Sequence, residues 1–129
     1  MKFSSYDHLS FYNCMVNRLP DDPNHQALVY LLGVLQDTRM RFRELYNTEK
    51  GRIIPNALNK PWQTGGTQRV TRLAFNLFDG FAGYSGKRKL EPEFLYTPDQ
   101  IMEPSLLDYY LDACRLRYEF RNPNVRNQQ

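Results

Sequence analysis

Cysteine, histidine and long apolar runs are scarce in this chain. Two Cys and two His among 129 residues give no disulfide framework, and no spacing typical of a zinc site. The longest apolar run, residues 27–35, is far shorter than the ~20 residues of a membrane span. No apolar segment follows the N-terminal Met, so we expect neither a secretory signal nor a membrane span. We therefore expect a cytoplasmic protein with reduced thiols.

Aromatic residues, by contrast, are abundant. Apolar residues make up 41% of the chain and aromatic residues 14%, with nine Tyr and eight Phe. A disordered protein lacks such a content, so the composition predicts a folded domain with an aromatic core. The length fits one domain. We predict a single helical domain over residues 1–121 and a frayed polar tail over residues 122–129.

Apolar periodicity predicts a mainly α fold of about five helices. Ser4 or Ser5 is suited to cap the first helix, and Asp22 to cap a second that begins at Pro23. This second helix is apolar nearly all round over residues 25–35, which predicts a buried central element. A third helix is expected from Asp37 or Thr38 to about Tyr46.

The remaining elements are predicted from turn and cap residues. Ile54 precedes a proline, which favours a short extended segment near residues 52–55. Thr67 is the expected cap of a fourth helix over residues 67–79. A capping box is predicted at residues 97–100, and a last helix from Ser105 to about residue 120. Aromatic side chains on this helix leave a homodimer through it as an open alternative: Tyr109, Tyr110, Tyr118 and Phe120.

A glycine-rich segment, residues 80–86, precedes three consecutive cations. It resembles a phosphate-binding P-loop, but the spacing differs and no hydroxyl follows the lysine. We expect a helix-ending loop with a basic tip. Arg69 and Arg72 are predicted to share the exposed face of the preceding helix. Together these residues form a candidate anion-binding or nucleic-acid-binding surface: Arg69, Arg72, Lys87, Arg88 and Lys89.

Acidic residues dominate the segment that follows. Six acids and no base lie between residues 91 and 112, and they form a candidate acidic strip for a protein partner: Glu91, Glu93, Asp99, Glu103, Asp108 and Asp112. A bipolar charge distribution of this kind attracts partners of either sign. In the alternative interpretation, the acidic segment neutralises the basic middle of the chain across the fold.

No constellation of residues predicts catalysis. The cysteines and histidines lie on separate predicted helices and lack an orienting third group, and Asp108 and Asp112 are expected to face solvent. We therefore predict no catalytic residue, no cofactor and no metal. Trp62, the one tryptophan, is expected to anchor its loop on the core or to anchor an interface with a partner.

The segment from Trp62 to Gly80 reads WQTGGTQRVTRLAFNLFDG. It resembles the WQT…VTRLAFNLF(N/D)G motif of a small uncharacterised family found on phages and conjugative elements of Gram-positive bacteria. Phe3, His8 and Asp37 also fit the family pattern, as does the Phe11–Tyr12 pair. The resemblance covers most of residues 3–83, and residues 84–129 fit it less clearly.

This resemblance implies a context in which small accessory proteins often bind and block a host defence machine, CRISPR nucleases included. The leading hypothesis is therefore a non-enzymatic, protein-binding factor of a mobile element that inhibits a bacterial defence nuclease stoichiometrically. An acidic strip that mimics a nucleic-acid backbone would suit this role, although the net charge of +3 counts against it. The alternatives are a small nucleic-acid-binding or regulatory domain and a small enzyme.

Overall fold

The central helix of the fold, α2, spans Pro23–Leu32. The computed structural model describes residues 1–119, and in it residues Ala27 to Leu32 have no solvent exposure. Helices α1 (Tyr6–Val16), α5 (Gly65–Asp79) and α7 (Leu107–Tyr118) pack around α2. The predicted helical domain with a buried central helix is thus confirmed. The predicted domain end at residue 121 and the predicted tail, residues 122–129, lie outside the described residues.

The predicted caps of the first two helices are confirmed. The Ser5 hydroxyl accepts a hydrogen bond from the His8 backbone N–H at 3.1 Å, and Asp22 Oδ1 accepts one from the His25 N–H at 2.7 Å. Pro23 occupies the first position of α2, where its missing N–H costs no hydrogen bond. Local sequence therefore determines where both helices start.

The predicted third helix is divided into two short pieces, α3 (Gln36–Met40) and α4 (Phe42–Leu45). The break falls at Arg41, whose φ of −109° and ψ of 25° lie outside the helical region. No side chain caps either piece, and Met40 remains 74% exposed. Without a continuous buried stripe, packing does not hold this segment as one helix.

Helix α5 begins earlier than predicted, because Thr64 rather than Thr67 is its cap. The Thr67 N–H donates to the Thr64 hydroxyl at 3.2 Å, and the Thr64 N–H donates to the Thr67 hydroxyl at 2.7 Å. Threonine at both positions forms a reciprocal box like the usual Ser/Thr–Glu pair. At the other end Gly80 adopts a left-handed φ of 82° and stops the helix.

Two β-hairpins follow α4 and α5. Strands β1 (Tyr46–Asn47) and β2 (Arg52–Ile53) form the first, which confirms an extended segment at residues 52–53. Strands β3 (Tyr84–Ser85) and β4 (Arg88–Lys89) form the second. The glycine-rich segment was therefore wrongly predicted to be a simple loop. Gly86, with φ of 62°, allows the tight turn there.

The C-terminal part contains 3-10 turns, the short helix α6 (Pro98–Ile101) and α7. The predicted capping box at residues 97–100 is absent, because the Thr97 hydroxyl donates to the Phe94 carbonyl instead. Helix α7 buries Tyr110, Ala113 and Leu116 against the core. Its opposite side exposes three apolar residues: Leu107, Leu111 and Tyr118.

Candidate functional site

A cleft opens where α5 ends, and two side-chain hydrogen bonds fix the chain there. The Phe81 backbone N–H donates to Asp79 Oδ1 at 3.0 Å. The side-chain amide of Asn76 donates to the Phe81 carbonyl at 3.1 Å. Together with the left-handed Gly80, these bonds direct the chain away from the helix axis into the second hairpin.

The two hairpins form the walls of this cleft, which we call the two-hairpin cleft. Its volume of about 420 Å³ falls within the ~300–1,000 Å³ typical of small-ligand sites. Residues of the first hairpin, the end of α5 and the second hairpin line it: Gly51, Arg52, Ile53, Pro55, Phe78, Asp79, Phe81, Tyr84, Ser85 and Gly86. Tyr84 is the most exposed aromatic among them, at 40%.

Five exposed cations lie on or between the strands of the two hairpins. We call them the hairpin cations: Lys50, Arg52, Lys87, Arg88 and Lys89. Within residues 1–119, none of them forms an ion pair with a carboxylate. Their charges are therefore free to attract an anionic partner. Two of them, Lys50 and Arg52, were absent from the predicted surface because the first hairpin lies far from the second in sequence.

Asp79 places a carboxyl group in the two-hairpin cleft. Burial raises the pKa of this carboxyl, although the hydrogen bond from the Phe81 N–H partly offsets that effect. Its second oxygen, Oδ2, forms no hydrogen bond within the described part of the chain. The position is also unfavourable for a negative charge, because the C-terminal end of a helix carries a partial negative charge of its own.

The structure removes Arg72 and Glu91 from the two predicted surfaces and pairs them with each other. Their side chains are only 10% and 9% exposed, and Arg72 Nη2 lies 2.8 Å from Glu91 Oε2. Arg72 Nε donates to Glu91 Oε1 at 3.1 Å, and the Tyr96 hydroxyl donates to the same oxygen at 2.6 Å. The pair joins α5 to the segment after the second hairpin, so neither residue is available to a partner.

Three other residues of the predicted acidic strip also have cationic partners. Arg69 Nη1 lies 3.1 Å from Glu103 Oε2, so this arginine too is neutralised. The Ser105 hydroxyl and the Arg69 guanidinium lower the pKa of Glu103. Lys2 pairs with Asp108 at 3.2 Å, and the Lys2 backbone N–H donates to Asp112 at 2.8 Å.

Asp112 is not a solvated acid, contrary to the prediction. Its side chain is 14% exposed and also pairs with Arg115. Of the predicted strip, only Glu93 and Asp99 have no ion pair within residues 1–119. The acidic segment therefore neutralises neighbouring cations to a large extent, which was the alternative interpretation of the charge pattern.

Trp62 anchors its loop on the helical body. Its indole Nε1–H donates to Glu44 Oε1 at 3.2 Å, and the Arg41 guanidinium stacks over the ring at 5.0 Å. The ring packs against the buried core with part of its surface exposed. These contacts fit the core-anchoring role that the sequence left open beside an interface role.

The two histidines are both buried in hydrogen-bonded networks. His25 Nδ1–H donates to Asp22, and its Nε2 accepts from the Tyr46 hydroxyl at 2.6 Å. This Asp–His–Tyr chain resembles a catalytic relay, but Tyr46 is 1% exposed and does not line the two-hairpin cleft. Its contacts join the start of α2 to β1.

His8 has no solvent exposure and links the N-terminal segment to α2. The Ser4 N–H donates to His8 Nδ1 at 3.0 Å, and Nε2–H donates to the Tyr30 carbonyl at 2.7 Å. Burial lowers the pKa of His8 more than the Tyr30 carbonyl raises it. Both ring nitrogens are thus used by the fold in the neutral form.

Neither metal ligands nor a membrane segment emerge from the described residues. No group of three or more His, Cys, Asp or Glu side chains within residues 1–119 is arranged to hold a metal ion. In the same part of the chain, no helix has the length and apolar character needed to cross a bilayer. Both thiols are free, with Cys14 exposed and Cys114 partly buried.

Two residues of the cleft, Asp79 and Tyr84, are not among the candidate site residues predicted from the sequence. Asp79 is the acidic residue of the motif that ends NLFDG, and Tyr84 lies in the glycine-rich segment predicted to be a loop. The alternation of Tyr84 and Gly86 around Ser85 is a weak hairpin signal that could have indicated them. Their proximity to Arg52 depends on how the hairpins pack and has no local signal.

Comparisons with known proteins give a family match over the whole chain. Neither the curated proteins nor the solved structures include one that matches this chain. A family model described as a family of unknown function, DUF6075, matches residues 1–129, the whole chain. The chain therefore belongs to the family of unknown function DUF6075.

Proposed function

We propose that this protein is a non-enzymatic binding factor whose partner is nucleic acid, contacted through the hairpin cations. The observation that carries this proposal is the pattern of ion pairing. Arg69 and Arg72 are neutralised by carboxylates, whereas the five hairpin cations have no such partner within residues 1–119. Unpaired Lys and Arg side chains clustered on two hairpins that share one cleft are typical of phosphate-backbone recognition.

The shape of the surface favours a single strand over a duplex. A duplex reader presents a helix or a long ribbon to a groove, and the two hairpins are too short for that role. Proteins that bind single strands combine a positively charged groove with exposed aromatic side chains. Tyr84, 40% exposed in the two-hairpin cleft, provides such an aromatic side chain and is paired with Lys89 across the second hairpin.

The test is the salt dependence of binding to a labelled oligo-dT of about 12 nucleotides, within the ~4–16 nucleotides that one small domain covers. Fluorescence anisotropy would be measured from low to physiological salt. One variant replaces Lys87, Arg88 and Lys89 by Gln. If all three contact phosphates, the slope of log K against log salt becomes shallower by about 2, at ~0.7 per single-strand contact.

The matched control replaces Arg18, Arg43 and Lys60 by Gln. These three exposed cations also lack an ion pair within residues 1–119 but lie outside both hairpins. This variant has the same net charge as the hairpin variant, so only the position of the lost charges differs. Equal losses of affinity in the two variants, or no binding of the wild type at low salt, would refute the proposal.

A protein-binding role is the second candidate, and the exposed side of α7 favours it. Leu107, Leu111 and Tyr118 are 46%, 42% and 51% exposed, and their spacing places them along one side of the helix. Contiguous exposed apolar residues are characteristic of protein interfaces. In this alternative the chain is an accessory factor of a phage or mobile element, a stoichiometric inhibitor of a bacterial defence nuclease such as a CRISPR nuclease.

The second candidate is tested by co-purification of the tagged protein from a phage-susceptible Gram-positive host at moderate salt. A defence nuclease that is retained by the wild type and lost from Leu107→Ser/Leu111→Ser would support it. Tyr6→Ser, at an apolar residue that is 80% exposed elsewhere, is the control. Light scattering would distinguish a homodimer through α7, whose mass would fall to that of a monomer in the double variant.

A cytoplasmic location belongs to the same proposal. The exposed free thiol of Cys14 is compatible with a reducing compartment, since exposed thiols oxidise readily outside it. Nucleic acid and a defence nuclease are both partners that such a compartment supplies.

A further inference from the structure

The two-hairpin cleft separates charges in a way that phosphate binding alone does not explain. Of the hairpin cations only Arg52 lines the cleft, and the lining also includes an acidic residue, Asp79. A phosphate placed against Asp79 would be repelled. The part of a nucleotide that enters the cleft is therefore the uncharged part, the base.

The lining of the cleft suits a base that has left the stack. Tyr84, 40% exposed, is the accessible aromatic side chain in the lining, whereas Phe78 and Phe81 are only 9% and 7% exposed. Tyr84 has enough exposed ring to stack on an incoming base, as aromatic side chains do in other single-strand binders. Arg52 on the opposite hairpin is a cation suited to the adjoining phosphate.

Asp79 then determines which base fits best. An ionised carboxylate only accepts hydrogen bonds, with two oxygens and about four lone-pair sites. One of these is used by the Phe81 N–H on Oδ1, which leaves Oδ2 and a further lone pair of Oδ1. The ligand must therefore present two neighbouring donors on one edge.

Guanine alone among the common bases meets that requirement. Its N1–H and its 2-amino group point the same way, so the two oxygens of one carboxylate can accept from both. Adenine and cytosine present one amino group beside an acceptor nitrogen, and thymine or uracil presents one N–H between two carbonyl oxygens. We propose that the two-hairpin cleft binds an unstacked guanine of a single-stranded nucleic acid, with Asp79 as the residue that selects it.

This inference rests on the proposed nucleic-acid binding, so its test separates the two. Binding is measured by competition at fixed salt for oligo-dT and for the same strand with one central dG, dA, dC or deoxyinosine. The wild type is expected to bind the dG strand about tenfold more tightly than oligo-dT, which corresponds to ~1.4 kcal/mol. Deoxyinosine lacks the 2-amino group and should show a clearly smaller preference.

Asp79→Asn is the decisive variant. Asn keeps an acceptor for the Phe81 N–H but presents a donor where guanine also presents donors, so the dG preference should fall to within about twofold. Because a negative charge is lost, its affinity for oligo-dT should rise. Glu49→Gln, at an exposed acid in the turn of the first hairpin, removes the same charge outside the cleft and should keep the full dG preference.

Each outcome has one meaning. A dG preference that disappears in Asp79→Asn and persists in Glu49→Gln supports the inference. Equal binding of all strands by the wild type overturns the guanine site but leaves the proposed function standing. No binding of any strand overturns both. A preference that survives in Asp79→Asn shows that another residue selects the base and refutes the role assigned to Asp79.

Discussion

The buried pair of Arg72 and Glu91 gives the sharpest prediction about the fold. Arg72→Met removes the guanidinium and keeps a long apolar side chain in its place. Glu91 would then hold a negative charge at 9% exposure, with only the Tyr96 hydroxyl as a remaining hydrogen-bond donor among the described residues. The Glu91 carboxylate would then be a buried charge without a cationic partner.

The expected loss is large because the pair is well formed. Arg72 donates through Nε and Nη2 to both carboxylate oxygens, at 3.1 Å and 2.8 Å. Breaking such a pair from one side costs about 3–5 kcal/mol. Small domains have free energies of unfolding of ~5–15 kcal/mol, so the variant should unfold at a much lower denaturant concentration.

The double variant Arg72→Met/Glu91→Gln tests the cause. It contains no buried charge at this place, and Gln still offers an oxygen to the Tyr96 hydroxyl. The free energy of unfolding should therefore exceed the value expected from adding the two single losses, by about 2–3 kcal/mol of coupling. A double variant that is destabilised by the full sum would show that the two side chains do not interact in solution.

Urea unfolding followed by far-UV circular dichroism provides the free energies, with m-values as a check on the unfolded state. Arg69→Met is the control, on the same helix and one turn away. Its partner Glu103 is reached at the surface, so this variant should lose much less stability. If Arg72→Met were as stable as Arg69→Met, Arg72 would behave as a surface residue. The conclusion that Arg72 is not available to a partner would then be wrong.

Three further predictions concern single positions. Burial lowers the pKa of His8. The stability that neutral His8 contributes is therefore complete above the ordinary histidine pKa of about 6.5 and decreases as the pH falls below that value. Urea unfolding at pH 7.5 and 5.5 should show this decrease, and a His8→Gln variant should not. Gly83→Ala should cost more than about 1 kcal/mol in urea unfolding, since its Cβ would lie 2.5 Å from the Glu91 carbonyl oxygen at a φ of +98°, whereas Gly65→Ala, with nothing within 4 Å of its Cβ, should be tolerated. Asp79→Asn should raise the free energy of unfolding at pH 7 by about 0.3–1 kcal/mol, as measured by urea unfolding. An unchanged or lower value would show that the negative charge at the end of α5 does not destabilise the fold.

The helical frame could be predicted from the sequence because its signals are local. The Ser5 and Asp22 caps and the apolar α2 each depend on residues within a few positions of one another, and the structure confirms them. Even the misplaced start of α5 is a local error of three residues. It arose because Thr64 and Thr67 cap each other, and either is a good cap by itself.

The charged surfaces could not be predicted in the same way. Arg69 and Arg72 lie three positions apart and therefore share a face of α5, but the sequence does not show which part of that face is covered. Glu91, 19 positions further along the chain, returns to cover Arg72, whereas Arg69 remains partly exposed beside Glu103. Which of the two arginines is buried depends on the path of the second hairpin, which connects α5 to Glu91. A helical wheel of α5 alone cannot predict that path.

Asp79 is the residue at which stability and the proposed function conflict. Asp79 is exposed, so the cost of its charge comes from its position at the C-terminal end of a helix, whose partial negative charge an asparagine would not oppose. The hydrogen bond to the Phe81 N–H does not explain the charge, because an amide oxygen accepts the same bond. Binding and active sites often contain groups that lower stability, because function requires them there. That reasoning identifies Asp79, rather than the more numerous cations around it, as the position where the chemistry of the partner should be most visible.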